Sequence, residues 1–179
     1  MNSSKFHNYP SVIHYYQRIR EDVWSITQET WPHATIKGIS RSTALLADSW
    51  KTLQGEGYRR SRAIWDWEPE FKSYQTKPKR FEMSIWSGSE LCGLTYGSLS
   101  KNGSKVRMNL IEATPVRPSP LGEAVFPILS FGATVYADLV GADEIWLLDP
   151  VSGAIDYYKN QGYMAPERYC GKRIGMKKR

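Results

Sequence analysis

The fold of this chain is decided by residues 80–113, RFEMSIWSGSELCGLTYGSLSKNGSKVRMNLIEA. Its first residues alternate between apolar and polar side chains, as in a strand with one buried face. Residues 91–99 and 106–113 continue the pattern as second and third strands. Ser-Gly-Ser at 87–89 marks one turn, and Asn102-Gly103 is typical of a tight hairpin turn. The stretch therefore predicts a three-stranded antiparallel meander.

The remainder of the chain follows a proline-rich loop and mixes helices with strands. The pattern predicts a long helix, a short and continuously apolar strand of the buried parallel kind, a short helix capped by Gly162, and two final strands. In order, these elements span residues 122–140, 144–148, 154–161, 163–170 and 172–178. This order predicts an α/β or α+β domain with a mixed sheet, an antiparallel meander followed by parallel strands, and helices on both faces.

The amino-terminal third is predicted to be helical. Apolar residues at three- and four-residue spacing form one stripe through residues 12–26, and a second helix is indicated over about 40–53. No first strand is evident, and residues 58–79 carry no assignable pattern. The length of 179 residues suits a single domain, with a helical part over 1–79 and a sheet core over 80–179.

The composition favours a folded protein of the cytoplasm. The chain is 41% hydrophobic and 23% charged, unlike disordered proteins. No window approaches the ~18 uninterrupted apolar residues of a membrane helix, and the first residues lack the apolar stretch of a signal peptide. Two cysteines and three histidines show no zinc-ligand spacing, so we expect no metal.

The basic residues are unevenly distributed. The net charge is +6, and the last ten residues, CGKRIGMKKR, hold five bases and no acid. Three other basic groups stand at Arg59, Arg60 and Arg62, at Lys77, Lys79 and Arg80, and at Lys101, Lys105 and Arg107. If these groups converge in space, they favour a phosphate-bearing partner such as a nucleic acid; if not, they are ordinary solvated surface.

Two stretches near the carboxyl terminus carry a family resemblance. Ala154 precedes Tyr158-Lys-Asn-Gln-Gly162-Tyr163, and Arg173-Ile-Gly-Met176 follows in the last strand. Together with the element order, they resemble the GNAT superfamily of acyl-CoA-dependent N-acyltransferases over about residues 80–178. The resemblance implies an enzyme that transfers the acetyl group of acetyl-CoA to a primary amine.

The stretch Arg117-Pro-Ser-Pro120-Leu-Gly122 resembles the superfamily's loop for the acyl-CoA pyrophosphate. Pro120 stands at the first loop glycine, and Val151 stands where relatives often have asparagine. Since proline has no N–H, a phosphate contact is lost or is supplied by Ser119 or Arg117. The resemblance also implies that residues 111–116 splay from the parallel neighbour and hydrogen-bond the pantetheine arm. The acyl-CoA-binding residues that it implies are Ala113, Val116, Arg117, Ser119, Leu121, Gly122 and Glu123.

The resemblance also implies two catalytic residues. Tyr158 matches the tyrosine that often donates a proton to the departing sulfur, and a phenol is protonated at neutral pH. Glu112 lies on the strand that faces the cofactor in relatives and is the best general base. The alternatives are a packed aromatic ring for Tyr158 and a solvent-facing strand position for Glu112.

The acceptor is the least determined part of the prediction. Trp65, Trp67 and Glu68 stand in the segment that borders the substrate in relatives, although helix packing explains the tryptophans equally well. An acidic lining suits a cationic amine, whereas the basic groups suit a nucleic-acid acceptor such as aminoacyl-tRNA. A protein that keeps the fold but binds without catalysis is the alternative that Pro120 and Val151 favour. Dimers are common in the superfamily, so a homodimer is a further open partner.

Overall fold

The computed structural model describes residues 9–59 and 65–179, which hold five α-helices and seven strands. The helices are α1 (Tyr9–Thr30), α2 (Arg41–Ser49), α3 (Trp67–Gln75), α4 (Val125–Val140) and α5 (Ile155–Asn160). The strands are β1 (Thr35–Lys37), β2 (Arg80–Ser87), β3 (Glu90–Leu99), β4 (Lys105–Ala113), β5 (Glu144–Leu148), β6 (Glu167–Cys170) and β7 (Arg173–Lys178). None of the helices in this described part combines the length and apolar character needed to span a bilayer.

The strands form one sheet in the order β1-β2-β3-β4-β5-β7-β6. Strands β2, β3 and β4 are the predicted antiparallel meander. The pair β4–β5 is parallel, while β7 lies between β5 and β6 and runs antiparallel to both. The predicted mixed α/β fold is confirmed, with its parallel part limited to that one pair. Strand β7 also places the basic carboxyl-terminal residues in the sheet.

Strand β1 was not evident from the pattern because it is three residues long and depends on hydrogen bonds with the Gln28 side chain of α1. The Gln28 side chain of α1 donates to the Ala34 carbonyl oxygen (2.6 Å) and accepts from the Ile36 N–H (2.9 Å). These bonds fix the chain after α1 so that it pairs with β2. The amino-terminal third therefore supplies an edge strand as well as helices.

Three predicted helices have different bounds in the structure. Helix α2 starts after a capping box at Ser40 and gives way to a 3-10 turn at Trp50–Thr52. Helix α4 starts at Val125, because the preceding residues form turns closed by Gly122 N–H to Ser119 O (3.0 Å) and Ala124 N–H to Leu121 O (3.1 Å). Helix α5 follows a short 3-10 turn. Local turn hydrogen bonds thus shorten the elements that the apolar pattern predicts.

Helices cover both faces of the sheet, as predicted. On one face, α1 and α4 pack on β2 to β5 through residues such as Val23 and Leu129. On the other, α2 and α3 pack on β3 and β4, where Trp67 and Tyr74 lie against Tyr96. Helix α3 occupies part of the segment that the sequence left unassigned.

A β-bulge in β4 changes which face its side chains point to. Tyr96 pairs with Leu110 while the next residue, Gly97, pairs with Met108, so Asn109 is the extra residue. Met108 packs in the core under α4, but Leu110 packs in the core under α2 and α3. The bulge therefore turns the last part of β4, including Glu112, toward α3.

Strands β4 and β5 pair along only part of their length. Their parallel register joins residues 105–108 to 144–147 and ends there, although β4 continues to Ala113. Beyond Met108 the two strands separate. This separation opens the sheet at the carboxyl ends of its parallel pair, where ligands bind in many open α/β sheets.

We predict that Gly97→Ala destabilises the protein by about 1–3 kcal/mol, because packed positions resist added atoms. A Cβ atom at Gly97 would overlap the carbonyl oxygen of Arg107, which the β3–β4 ladder holds in place. Urea unfolding followed by circular dichroism measures the change.

The matched control is Gly132→Ala in α4. Its Cβ would lie 2.7 Å from the Cε of Met83, at the end of an unbranched side chain, whereas the obstacle at Gly97 is a backbone oxygen. Alanine is also favoured over glycine in a helix by about 1 kcal/mol, so this variant should lose less stability than Gly97→Ala. Equal losses of unfolding free energy in the two variants would contradict the claim that the Arg107 carbonyl oxygen leaves no room for a Cβ at Gly97.

Candidate active site

The separation of β4 from β5 opens into a cleft of about 620 Å³. Its walls are the end of β4 and the following turn, the loop before α4 with the first residues of that helix, and the 3-10 turn with α5. Arg59 reaches it from the segment after α2. The volume lies within the range of about 300–1,000 Å³ that is usual for small-molecule sites.

The structure brings most of the predicted site residues to this one cleft. Seven of them line it: Glu112, Ala113, Arg117, Ser119, Gly122, Glu123 and Tyr158. Two other predicted residues belong to the same loop but are not among those that line the cleft. Val116 forms an isolated bridge with Tyr58, and Leu121 packs against the core beneath α4. Binding of acyl-CoA by any of these residues stays a prediction.

Glu112 is held at the cleft by an indole from α3. Its side chain is buried, with the residue 5% exposed, and Trp67 Nε1 donates to its Oε2 at 2.5 Å. The bulge in β4 makes this contact reachable, because it turns Glu112 to the face that α3 covers. A buried carboxylate thus lines the cleft with one oxygen fixed by a rigid aromatic donor.

The three predicted acceptor-binding residues are not among those that line the cleft, and acceptor binding by them stays a prediction. Trp67 is fully buried. Trp65 packs against the core under α2 and α3. Glu68 forms ion pairs with Lys72 at 2.9 Å and Arg41 at 3.1 Å, and the Lys72 hydrogen bond is the main cause that lowers the Glu68 pKa. Trp67 acts as the partner of Glu112.

A carboxylate on α2 sets the position of Trp67. Asp48 accepts the backbone N–H of Trp67 at Oδ1 (2.8 Å) and that of Glu68 at Oδ2 (3.0 Å), so it caps the start of α3. Burial raises the pKa of the Asp48 carboxyl, but these two bonds and the nearby Lys51 ammonium outweigh burial and hold that pKa below its ordinary value. Asp48 on α2 therefore positions the Trp67 indole, which in turn holds Glu112 at the cleft.

Tyr158 lines the cleft from α5 within an aromatic cluster. Its ring lies 4.8 Å from Phe126 and 5.8 Å from Tyr157, measured between ring centroids. Burial, followed by the charge of Glu123, raises the pKa of Tyr157. Phe126 and Tyr157 were not predicted as site residues, although the first turn of α4 and the neighbour of Tyr158 in α5 were natural candidates.

The loop before α4 holds its own polar groups in an unusual way. Pro115, Pro118 and Pro120 offer no N–H donors. The Gly122 N–H, in a left-handed residue with φ 56°, donates inward to Ser119 O. Ser119 Oγ is buried and has no hydrogen-bond partner among the residues described. The loop thus has few free amides, but it has one unpaired hydroxyl.

Several basic residues found in the sequence have partners within the described part of the chain. Arg80 is buried and pairs with Glu82, and Arg107 donates to the carbonyl oxygens of Ser98 and Leu99. Lys105 and Lys177 both pair with Glu144. Arg60 and Arg62 lie outside the described residues. Internal partners therefore occupy several of the cations that favoured a nucleic-acid partner.

No family model matches the chain, and no curated protein matches it by sequence. Many solved structures match its fold. The PaiA N-acetyltransferase of Thermoplasma acidophilum, in complex with coenzyme A, gives a TM-score of 0.56 at 16% identity, over 82% of this chain and 98% of its own.

Two other similar structures are named for different acceptors. A variant of the spermidine N-acetyltransferase of Vibrio cholerae gives a TM-score of 0.57 at 10% identity, over 82% of this chain and 93% of its own. The ribosomal-protein-S18-alanine N-acetyltransferase of Escherichia coli gives 0.54 at 17% identity, over 81% and 92%. At such identities the likeness shows the fold alone.

We predict an energetic coupling between Trp67 and Glu112. Trp67→Phe keeps an aromatic ring in the core but removes the N–H donor, and removing one partner of a buried hydrogen bond costs about 1–3 kcal/mol. The loss should shrink by at least about 1 kcal/mol in a Glu112→Leu background, where the side chain has no acceptor for the indole N–H, as a double-mutant cycle in urea would measure.

The control cycle pairs Trp67→Phe with Glu144→Gln, which lies at the opposite end of the β4–β5 pair. Distant substitutions add within about 0.5 kcal/mol, so this cycle should show no coupling. Additive losses in the Trp67–Glu112 cycle would contradict the role assigned to the indole.

Proposed function

The chain has the fold of the GNAT N-acetyltransferases, and we propose that it is an enzyme of that kind, which transfers the acetyl group of acetyl-CoA to an amine. The observation that carries the proposal is the cleft between the separated ends of β4 and β5. That cleft unites Glu112, Tyr158 and the loop at Arg117, three features that the sequence predicted for one site.

The cleft fits a CoA-type molecule by its chemistry. Residues 109–113 of β4 have left β5, so backbone groups at this edge are open to a ligand. The loop contributes the Arg117 guanidinium, which suits phosphate oxygens. In this proposal, the end of β4 holds the pantetheine arm and the loop holds the phosphates. When bound, acetyl-CoA supplies an acetyl group activated as a thioester.

Two side chains move protons in the proposed reaction. The Glu112 carboxylate takes a proton from the acceptor ammonium, so that the neutral nitrogen can attack, and Trp67 holds the carboxylate in place. The Tyr158 hydroxyl gives a proton to the departing sulfur. As the N–C bond forms and the C–S bond breaks, the nitrogen loses a second proton, which restores the Tyr158 phenol, and Glu112 releases its proton to solvent. The products are an N-acetylated amine and a neutral thiol.

The acceptor in this proposal is a primary amine. The similar structures are named for acceptors as different as spermidine and a ribosomal-protein alanine, so the fold is compatible with both small and macromolecular amines. One fold hosts many substrates, and the acceptor has to come from a screen. Aminoacyl-tRNA belongs in that screen because of the net charge of +6.

Isothermal titration with acetyl-CoA and with coenzyme A tests the proposal directly. We expect binding of both, followed by acetylation of at least one amine in a panel of polyamines, peptide amino termini and aminoacyl-tRNA. If neither compound binds, the proposed function is refuted. Binding without any transfer would favour a protein that keeps the fold as a binding module.

We predict that Tyr158→Phe lowers kcat by about 10²–10⁴-fold, the usual contribution of a general acid. Acetyl-CoA affinity and thermal stability should change little, because only one hydroxyl is removed. The control is Tyr169→Phe, the same change on the edge strand β6 at a residue that does not line the cleft. Unchanged turnover of Tyr158→Phe would remove this residue from the mechanism.

A further inference from the structure

The segment that ends at Arg59 is joined to the loop before α4. The Arg59 N–H donates to the Pro115 carbonyl oxygen (2.6 Å), and the Arg117 N–H donates to the Gly57 carbonyl oxygen (2.7 Å). Between these bonds, Tyr58 and Val116 form an antiparallel bridge. The backbone thus fixes Arg59 beside the loop without using its side chain.

Two arginines, Arg59 and Arg117, line the cleft as a result. Burial lowers the pKa of Arg117, and the positive charge of Arg59 lowers it further, as expected of close like charges. Neither guanidinium forms an ion pair with any residue in the described ranges 9–59 and 65–179.

Arg117 is oriented by its own loop. Its Nη1 donates to the carbonyl oxygens of Thr114 (2.8 Å) and Val116 (2.6 Å). The rest of the guanidinium has no partner among the described residues. Arg59 is exposed, so its side chain can follow a ligand that enters the cleft.

The same loop is poor in the donors that usually bind phosphate. Three prolines remove N–H groups, and the N–H groups of Arg117 and Gly122 are used inside the protein. The buried Ser119 Oγ has no partner in the part of the chain that is described. Two cations therefore line a cavity where backbone donors are few.

We propose that Arg59 is a second phosphate ligand of the cleft, which replaces the backbone amides that the prolines remove. The ligand is a phosphate group of coenzyme A, so the inference rests on the proposed function. An anion there relieves the repulsion between the two guanidinium groups. Arginine suits this role because its planar fork binds phosphate oxygens in pairs.

The test is the binding of three compounds to Arg59→Gln: coenzyme A, 3′-dephospho-coenzyme A and pantetheine. We expect coenzyme A affinity to fall about 10-fold to 100-fold, the usual effect of one charge-assisted hydrogen-bond donor. Pantetheine affinity should not change. An equal fall for 3′-dephospho-coenzyme A assigns Arg59 to the diphosphate, and a fall for coenzyme A alone assigns it to the 3′-phosphate.

The salt dependence of coenzyme A affinity gives a second measure. Affinity of the natural protein should fall more steeply with salt than that of Arg59→Gln, because the variant has one cation fewer near the phosphates. Arg59→Lys should give intermediate affinity, since it keeps the charge but loses the planar fork. Arg168→Gln, the same change at an exposed position of β6, is the control and should bind like the natural protein.

Failure of this inference is distinct from failure of the proposed function. If the natural protein binds no coenzyme A, the proposed function is wrong. If the natural protein binds coenzyme A and Arg59→Gln has the affinity and salt dependence of Arg168→Gln, only the role of Arg59 is overturned. Equal losses for coenzyme A and pantetheine would also overturn it, because the effect would not depend on phosphate.

Discussion

The separation of β4 from β5 is the constraint on which the rest of the structure depends. A parallel pair that ends at Met108 leaves strand backbone without a neighbour inside the sheet. Buried backbone groups need partners, so such an opening is stable when turns, side chains or a ligand satisfy them. The bulge at Asn109 bends the same strand and turns Glu112 to the face that α3 covers. One irregular strand thus creates the cavity and places a carboxylate at it.

Helices α2 and α3 of the amino-terminal part fix the position of Glu112, which lies on β4, far from them in sequence. Asp48 on α2 caps α3, the cap positions Trp67, and the Trp67 indole holds Glu112. A buried carboxylate without donors is costly, which makes this chain of contacts important for stability as well as for the site. Trp67 therefore resembles a core residue by its burial and a site residue by its hydrogen bond.

The loop before α4 offers a ligand different groups from those of a glycine-rich loop. Glycine-rich loops bring backbone amides close to a phosphate, and helix N-termini add their dipole. Here prolines remove amides, while backbone pairing to residues 57–59 brings a second guanidinium to the cleft. The cleft thus offers arginine side chains where a glycine-rich loop offers backbone N–H groups. A binding site of this kind should depend more strongly on salt.

The sequence by itself determined the features that local pattern encodes. The alternation in residues 80–113 specified the meander, because strand pairing across tight turns needs only neighbouring residues. The stretches around Tyr158 and Arg117 implied the fold and a shared site through their resemblance to the GNAT superfamily, and both lie in the walls of one cleft. The tertiary structure alone decided β1, the partner of Glu112 and the position of Arg59. Each of these depends on contacts between residues distant in the chain: Ile36 with Ile85, Trp67 with Glu112, and Arg59 with Pro115. Such contacts leave no period or spacing in the sequence, because the fold, and not the local chain, brings their partners together.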